Sequence, residues 1–114
     1  MHEIRYSPEF NKDYERLKEK TGQGNSEAKY LLEIISKATA KLAENTEAGV
    51  KIPRKLWPKE YLQKYDATNL WKLNLDSNWR LIYTITGDKV KLFLIYLEYI
   101  SHKEYERKFG YKRS

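Results

Sequence analysis

At 114 residues the chain is long enough for one domain with a real core, and with no cysteine it has no disulfide framework, thiolate metal ligand or thiol nucleophile, which suits a reducing cytosol. Met1-His2-Glu3 runs straight into alternating residues, and the longest apolar run, Leu92–Leu97, falls far short of the roughly 20 residues of a spanning helix, so neither a signal peptide nor a membrane segment is expected and the location expected is cytoplasmic. The net charge of +6 is uneven, with eight Lys/Arg against nine Asp/Glu in residues 1–49 and fourteen against seven in residues 50–114, which suits either a polyanionic partner, nucleic acid ahead of an acidic protein or a membrane surface, or a merely solubilising surface.

Residues 2–6 can form a short strand. In "SPEF", Ser7 can cap a helix, Pro8 fits its first position and Glu9 suits the positive end of its dipole. Phe10, Tyr14 and Leu17 then give that helix one apolar face, and "TGQGN" ends it. A second helix starts near Asn25 or Ser26, with Leu31, Ile34, Ile35, Ala38 and Leu42 as its buried stripe. The two helices are expected to pair antiparallel. "ENTEAGVKIPRKLWPKEY" holds two prolines and a glycine, together with Lys51, Arg54, Lys55 and Lys59, and reads as an ordered basic loop, either functional or a solvated connector.

Three strands follow. In "NLWKLNLD", Trp71, Leu73 and Leu75 alternate with Lys72, Asn74 and Asp76, the period of a half-buried strand. After a tight turn at "DSN", Trp79, Leu81, Tyr83 and Ile85 alternate with Arg80, Ile82 and Thr84. "TGDK" predicts a two-residue hairpin turn, and "KVKLFLIYLEYI", apolar on both faces, suits the middle of a sheet. Lys103–Phe109 can add a short helix, packing Tyr105 and Phe109 against the sheet. The class predicted is α+β, residues 1–114 forming a single domain in which an N-terminal strand and a helical hairpin pack on one face of a mainly antiparallel sheet.

With that hairpin on one face, chemistry is expected on the other. Arg80 is unusual there, a cation in mid-strand between apolar neighbours, able to hold a phosphate or to form an ion pair with Asp76, Glu98 or the chain terminus. The basic loop and the tail "YISHKEYERKFGY" can reach the same face, bringing cations, His102 and tyrosines together.

The element order, the Lys-rich loop and "NLWKLNLDSNWRLIYTITGDKVKLFLIYLEYISHKEY", with its strand Arg followed by Ile-Tyr and its His-containing tail, resemble the RelE/ParE superfamily of type II toxins over nearly the whole chain. The resemblance implies a microbial ribonuclease-like fold, a small sheet cupped by two N-terminal helices, and a toxin neutralised by a cognate antitoxin. In the RelE branch it implies an endoribonuclease that cuts mRNA in the ribosomal A site and so inhibits translation; a ParE-like protein would keep the fold and block DNA gyrase by binding alone. A non-toxic binding module of the same fold is a third reading.

The family's strand Arg matches Arg80, as holder of the scissile phosphate, and its tail His matches His102, as general acid or base. Lys51, Arg54 and Lys55 match the family's basic loop in position but not in strict spacing; with Lys59, Lys72 and Arg107 they are RNA-binding candidates. The His–Tyr spacing of many relatives is not kept, since Tyr105 lies three residues after His102 and Tyr111 nine after. Tyr105, one helical turn from His102, is the catalytic candidate and Tyr111 the alternative, although the register of Tyr105 with Phe109 equally suits burial. These residue types can serve RNA cleavage without metal, which needs a 2′-hydroxyl activated, a phosphorane stabilised and a 5′-oxygen protonated. No cofactor or metal is expected, because His2 and His102 are the only histidines and no spacing resembles a ligand set. The partners expected are a cognate antitoxin, mRNA and the ribosome.

Overall fold

Ser7 ends the first strand and starts the first helix. The computed structural model describes residues 2–88 and 90–110. Strand β1 (His2–Tyr6) stops where Ser7 Oγ accepts the Phe10 N–H at 3.0 Å, with Pro8 opening helix α1 (Pro8–Gly22). Asn25 caps α2 (Ser26–Glu44) in the same way, its Oδ1 accepting the Ala28 N–H at 2.9 Å. Then come β2 (Val50–Lys51), a 3-10 turn at Arg54–Leu56, α3 (Lys59–Lys64), β3 (Trp71–Asn74), β4 (Trp79–Gly87), β5 (Leu92–Ser101) and α4 (His102–Phe109).

The five strands form one sheet in the order β1-β5-β4-β3-β2. β1 runs parallel to β5 and the remaining pairs are antiparallel, so the sheet is mixed, α+β with a short C-terminal helix as predicted. The β4–β5 connection is longer than the predicted two-residue turn. Gly87 pairs with Leu92, and between them the Asp88 side chain accepts the N–H groups of Val90 and Lys91 at 2.9 and 3.0 Å, folding the loop around itself.

The helical hairpin covers one face, as its apolar stripes require. Phe10, Leu17, Leu31, Ile35 and Leu42 pack on Leu73, Leu81, Tyr83, Leu94 and Tyr96. Complete burial of a side chain such as Phe10 stabilises the fold by about 1.5–3 kcal/mol. Gly49 runs tight against this layer: a Cβ there would lie 2.4 Å from the Lys72 carbonyl oxygen, so only glycine fits without a shift.

The opposite face carries a core of its own. Ile52, Trp57, Tyr61, Leu70, Ile82, Leu97, Ile100, Tyr105 and Phe109 form a second buried cluster there. The expected basic loop folds back as the 3-10 turn and α3, tied down by Trp57 Nε1 donating to the Ile52 carbonyl at 3.0 Å, and α4 closes the rest. An irregularity in the β4–β5 register helps: Ile82 pairs with Glu98 and Tyr83 with Tyr96, so Leu97 is the extra residue of a bulge. Its carbonyl accepts from Ser7 Oγ at 2.8 Å, tying the bulge to the start of α1.

Candidate active site

The site is built outward from the turn between β3 and β4. Asp76 Oδ1 accepts the N–H groups of Asn78 and Trp79, both at 2.8 Å, and Asp76 Oδ2 accepts from Tyr30 Oη of α2 at 2.6 Å. The Tyr30 hydrogen bond, helped by those N–H groups and by the Arg80 charge, holds the Asp76 carboxyl below its usual range. The turn so fixed offers two carbonyls. That of Asp76 accepts from Arg80 Nη1 at 3.0 Å, and that of Asn78 accepts the His102 N–H at 2.6 Å.

Arg80 and His102 meet over this turn. Arg80 is buried, 7 % exposed, and its Nη1 also reaches the Trp79 carbonyl at 3.2 Å. Nη2 lies 2.7 Å from His102 Nδ1. A guanidinium can only donate, so in the neutral imidazole Nδ1 is the acceptor and the ring proton sits on Nε2. Nε2 in turn lies 3.1 Å from Glu106 Oε2, one turn along α4. The imidazole is thus clamped on both nitrogens, yet about half its side chain faces solvent. The helix that carries it is well made: Ser101 Oγ caps the Glu104 N–H at 3.1 Å, and Gly110 leaves the helix at φ 67°, a left-handed conformation that glycine adopts without strain.

His102 and Glu106 line a groove of about 300 Å³ with Val50, Lys72 and Tyr105. The Lys72 ammonium lies 5.0 Å from the Tyr105 ring centre, and burial, with the nearby Arg80 charge, pushes its pKa down. The structure therefore brings together Arg80, His102, Lys72 and Tyr105 of the predicted residues. Tyr105 enters as a buried ring, 2 % exposed and stacked on Phe109 at 4.7 Å, as its helical register equally suggested. Tyr111, the alternative, lies outside the described residues.

The other basic candidates are spread out. Lys51 is exposed on edge strand β2, and Lys55 is exposed beside Arg54, whose guanidinium sits 5.0 Å from the Trp57 ring centre. Lys59 and Arg107 line a separate groove with Pro58, Glu60 and Lys108, and Arg107 is paired with Glu104. Two members of the His102 groove were missed from sequence, Glu106 and Val50. The spacing of Glu106 from His102, i to i+4 on a helix, was the available signal for the first; nothing in the sequence singles out Val50.

A mixed sheet cupped by an N-terminal helical hairpin and closed by a short C-terminal helix is the fold of a small type II toxin. The family described as "ParE toxin of type II toxin-antitoxin system, parDE" matches residues 4–96, and the chain belongs to it. Its partner is accordingly a cognate antitoxin. Among solved structures it is similar to a YoeB/ParE toxin from Agrobacterium tumefaciens, with a TM-score of 0.57 and 16 % identity over 88 % of this chain and 98 % of that one, a likeness of fold. No curated protein matches the chain in sequence. Among the described residues no helix is long and apolar enough to cross a membrane.

Proposed function

We propose that this toxin inhibits translation as an endoribonuclease that cuts mRNA on the ribosome, with the groove at His102 as its active site. The observation that carries the reading is the 2.7 Å contact between Arg80 Nη2 and the Nδ1 of His102, which lines a groove together with Lys72. A phosphate entering the groove competes for the Arg80 donors. Once Nη2 turns to the phosphate, Nδ1 is free to take the 2′-hydroxyl proton as the 2′-oxygen attacks phosphorus, and Glu106 faces the resulting imidazolium from the other side. Such a group can protonate the leaving 5′-oxygen while Lys72 and Arg80 offset charge on the phosphorane. Tyr105 contributes through its ring, which carries the Lys72 ammonium. Lys51, Arg54, Lys55, Lys59 and Arg107 give the RNA backbone further cations, and the chemistry uses side chains alone.

A second reading is favoured by one observation. The family match ends at residue 96, before His102, and ParE-type toxins block DNA gyrase without chemistry. Controlled expression separates the two. The nuclease reading predicts new mRNA 5′ ends on induction, their loss in His102→Ala and Arg80→Lys, and unimpaired DNA supercoiling by gyrase in the presence of the protein. Growth arrest without new 5′ ends, with supercoiling blocked, would overturn it.

A further inference from the structure

One side chain of the helical hairpin reaches the turn on which the candidate site is built. Tyr30 stands on α2 one position before the buried Leu31, yet it is itself 44 % exposed. Its hydroxyl donates to Asp76 Oδ2 at 2.6 Å, joining residues 46 apart in the chain. That bond holds the Tyr30 phenol above its usual range and the Asp76 carboxyl below its own, so the donor keeps its proton and the acceptor its charge. The other carboxylate oxygen makes the turn by taking the N–H groups of Asn78 and Trp79, and the Trp79 carbonyl closes it by accepting the Leu75 N–H at 2.9 Å. At the tip, Ser77 and Asn78 are exposed and have little burial to hold them. Helix α2 is a firmer anchor, capped by Asn25 and seated through Leu31, Ile34 and Ile35.

Arg80 depends on this turn for its direction. Among the described residues its Nη1 donates to two main-chain carbonyls, those of Asp76 at 3.0 Å and Trp79 at 3.2 Å, its Nε has no hydrogen-bond partner, and it forms no ion pair. The guanidinium is thus aimed by the turn on one side and by His102 Nδ1 on the other. The same turn sets His102, whose N–H the Asn78 carbonyl accepts at 2.6 Å. When Nη2 leaves the imidazole for a phosphate, Nη1 on its two carbonyls is the pivot that remains, and a small displacement of that pivot misplaces the donor.

We propose that Tyr30 is a positioning residue of the active site, holding through Asp76 the turn that aims Arg80 and His102 at the scissile phosphate. This rests on the nuclease reading. The test compares single-turnover cleavage of a ribosome-bound mRNA by wild type, Tyr30→Phe, Asp76→Ala and the double variant, with unfolding midpoints and exchange of the His102 amide measured alongside. Tyr30→Phe is expected to cut about tenfold more slowly at saturation, with the half-saturating concentration and the unfolding midpoint unchanged and the His102 amide exchanging faster. The double variant is expected to cut no more slowly than Asp76→Ala alone, since the hydroxyl then has no carboxylate to hold. A wild-type rate in Tyr30→Phe, a loss that follows a lowered midpoint, or losses that multiply in the double variant would overturn the positioning role and leave the nuclease reading intact. No cleavage by wild type would overturn both.

Discussion

The two faces of the sheet are closed by different means. Under the helical hairpin the core is almost wholly apolar, filled by side chains from two capped helices with regular stripes. The other face is closed by a 3-10 turn and two short helices, and among its rings it carries charge: Arg80 against His102, and Lys108 between Glu98 at 3.2 Å and Glu60 at 3.4 Å. A long amphipathic hairpin can hold a sheet by burial alone, which leaves the opposite face free to keep groups that cost stability. The first face makes the fold; the second makes the site.

Substitutions can break that division or sharpen it. The largest loss of stability is expected on the hairpin side, where Phe10→Ala removes a fully buried ring and should cost about 3–5 kcal/mol in urea unfolding. A loss below 1 kcal/mol would mean that the hairpin does not carry the fold. Ser7→Ala cuts the joint between the faces, removing the α1 cap and the Leu97 carbonyl bond, and should cost about 1–2 kcal/mol by the same measurement.

Glu98 tests the second face through pH. Burial pushes its carboxyl above the ordinary 4.5, against the pull of the Lys108 ammonium. The folded protein thus holds this proton more tightly than the unfolded chain does, so its stabilising contribution is complete below about pH 4.5 and is lost as pH rises through the folded value. Glu98→Gln cannot lose a proton, and its stability should gain on wild type as pH is raised from 4.5 toward neutrality. Parallel stability–pH curves would contradict this. The smallest effect on the fold is expected of His102→Ala, within about 0.5 kcal/mol, since the imidazole is half exposed and its main-chain bond to Asn78 remains.

The first face was legible in the sequence because its signals are local. Ser7-Pro8-Glu9, the stripe Leu31–Leu42 and the alternation of Trp71, Leu73, Leu75 and Trp79, Leu81, Tyr83 each state a period and a boundary. The parallel pairing of β1 with β5 was not, because five edge residues do not encode their partner. α3 was read as loop for a physical reason: its six residues are too few to display a period, and Pro58, which looks like a breaker, sits at its N-cap. At the site, a mid-strand Arg80 and a tail that carries His102 to the same face were both visible, and the direct hydrogen bond between them was not. Only the fold brings residue 102 back over the Asp76 turn, and only the bulge at Leu97 and the packing of α4 close the face around them.

The most direct test of the account is cleavage of a translated mRNA on ribosomes by purified wild type and His102→Ala, with thermal unfolding of both proteins measured alongside. The account predicts a rate about a thousandfold lower in the variant, equivalent to about 4 kcal/mol of transition-state stabilisation, at an unchanged unfolding midpoint. Equal cleavage by the two proteins, or none by wild type, would contradict it.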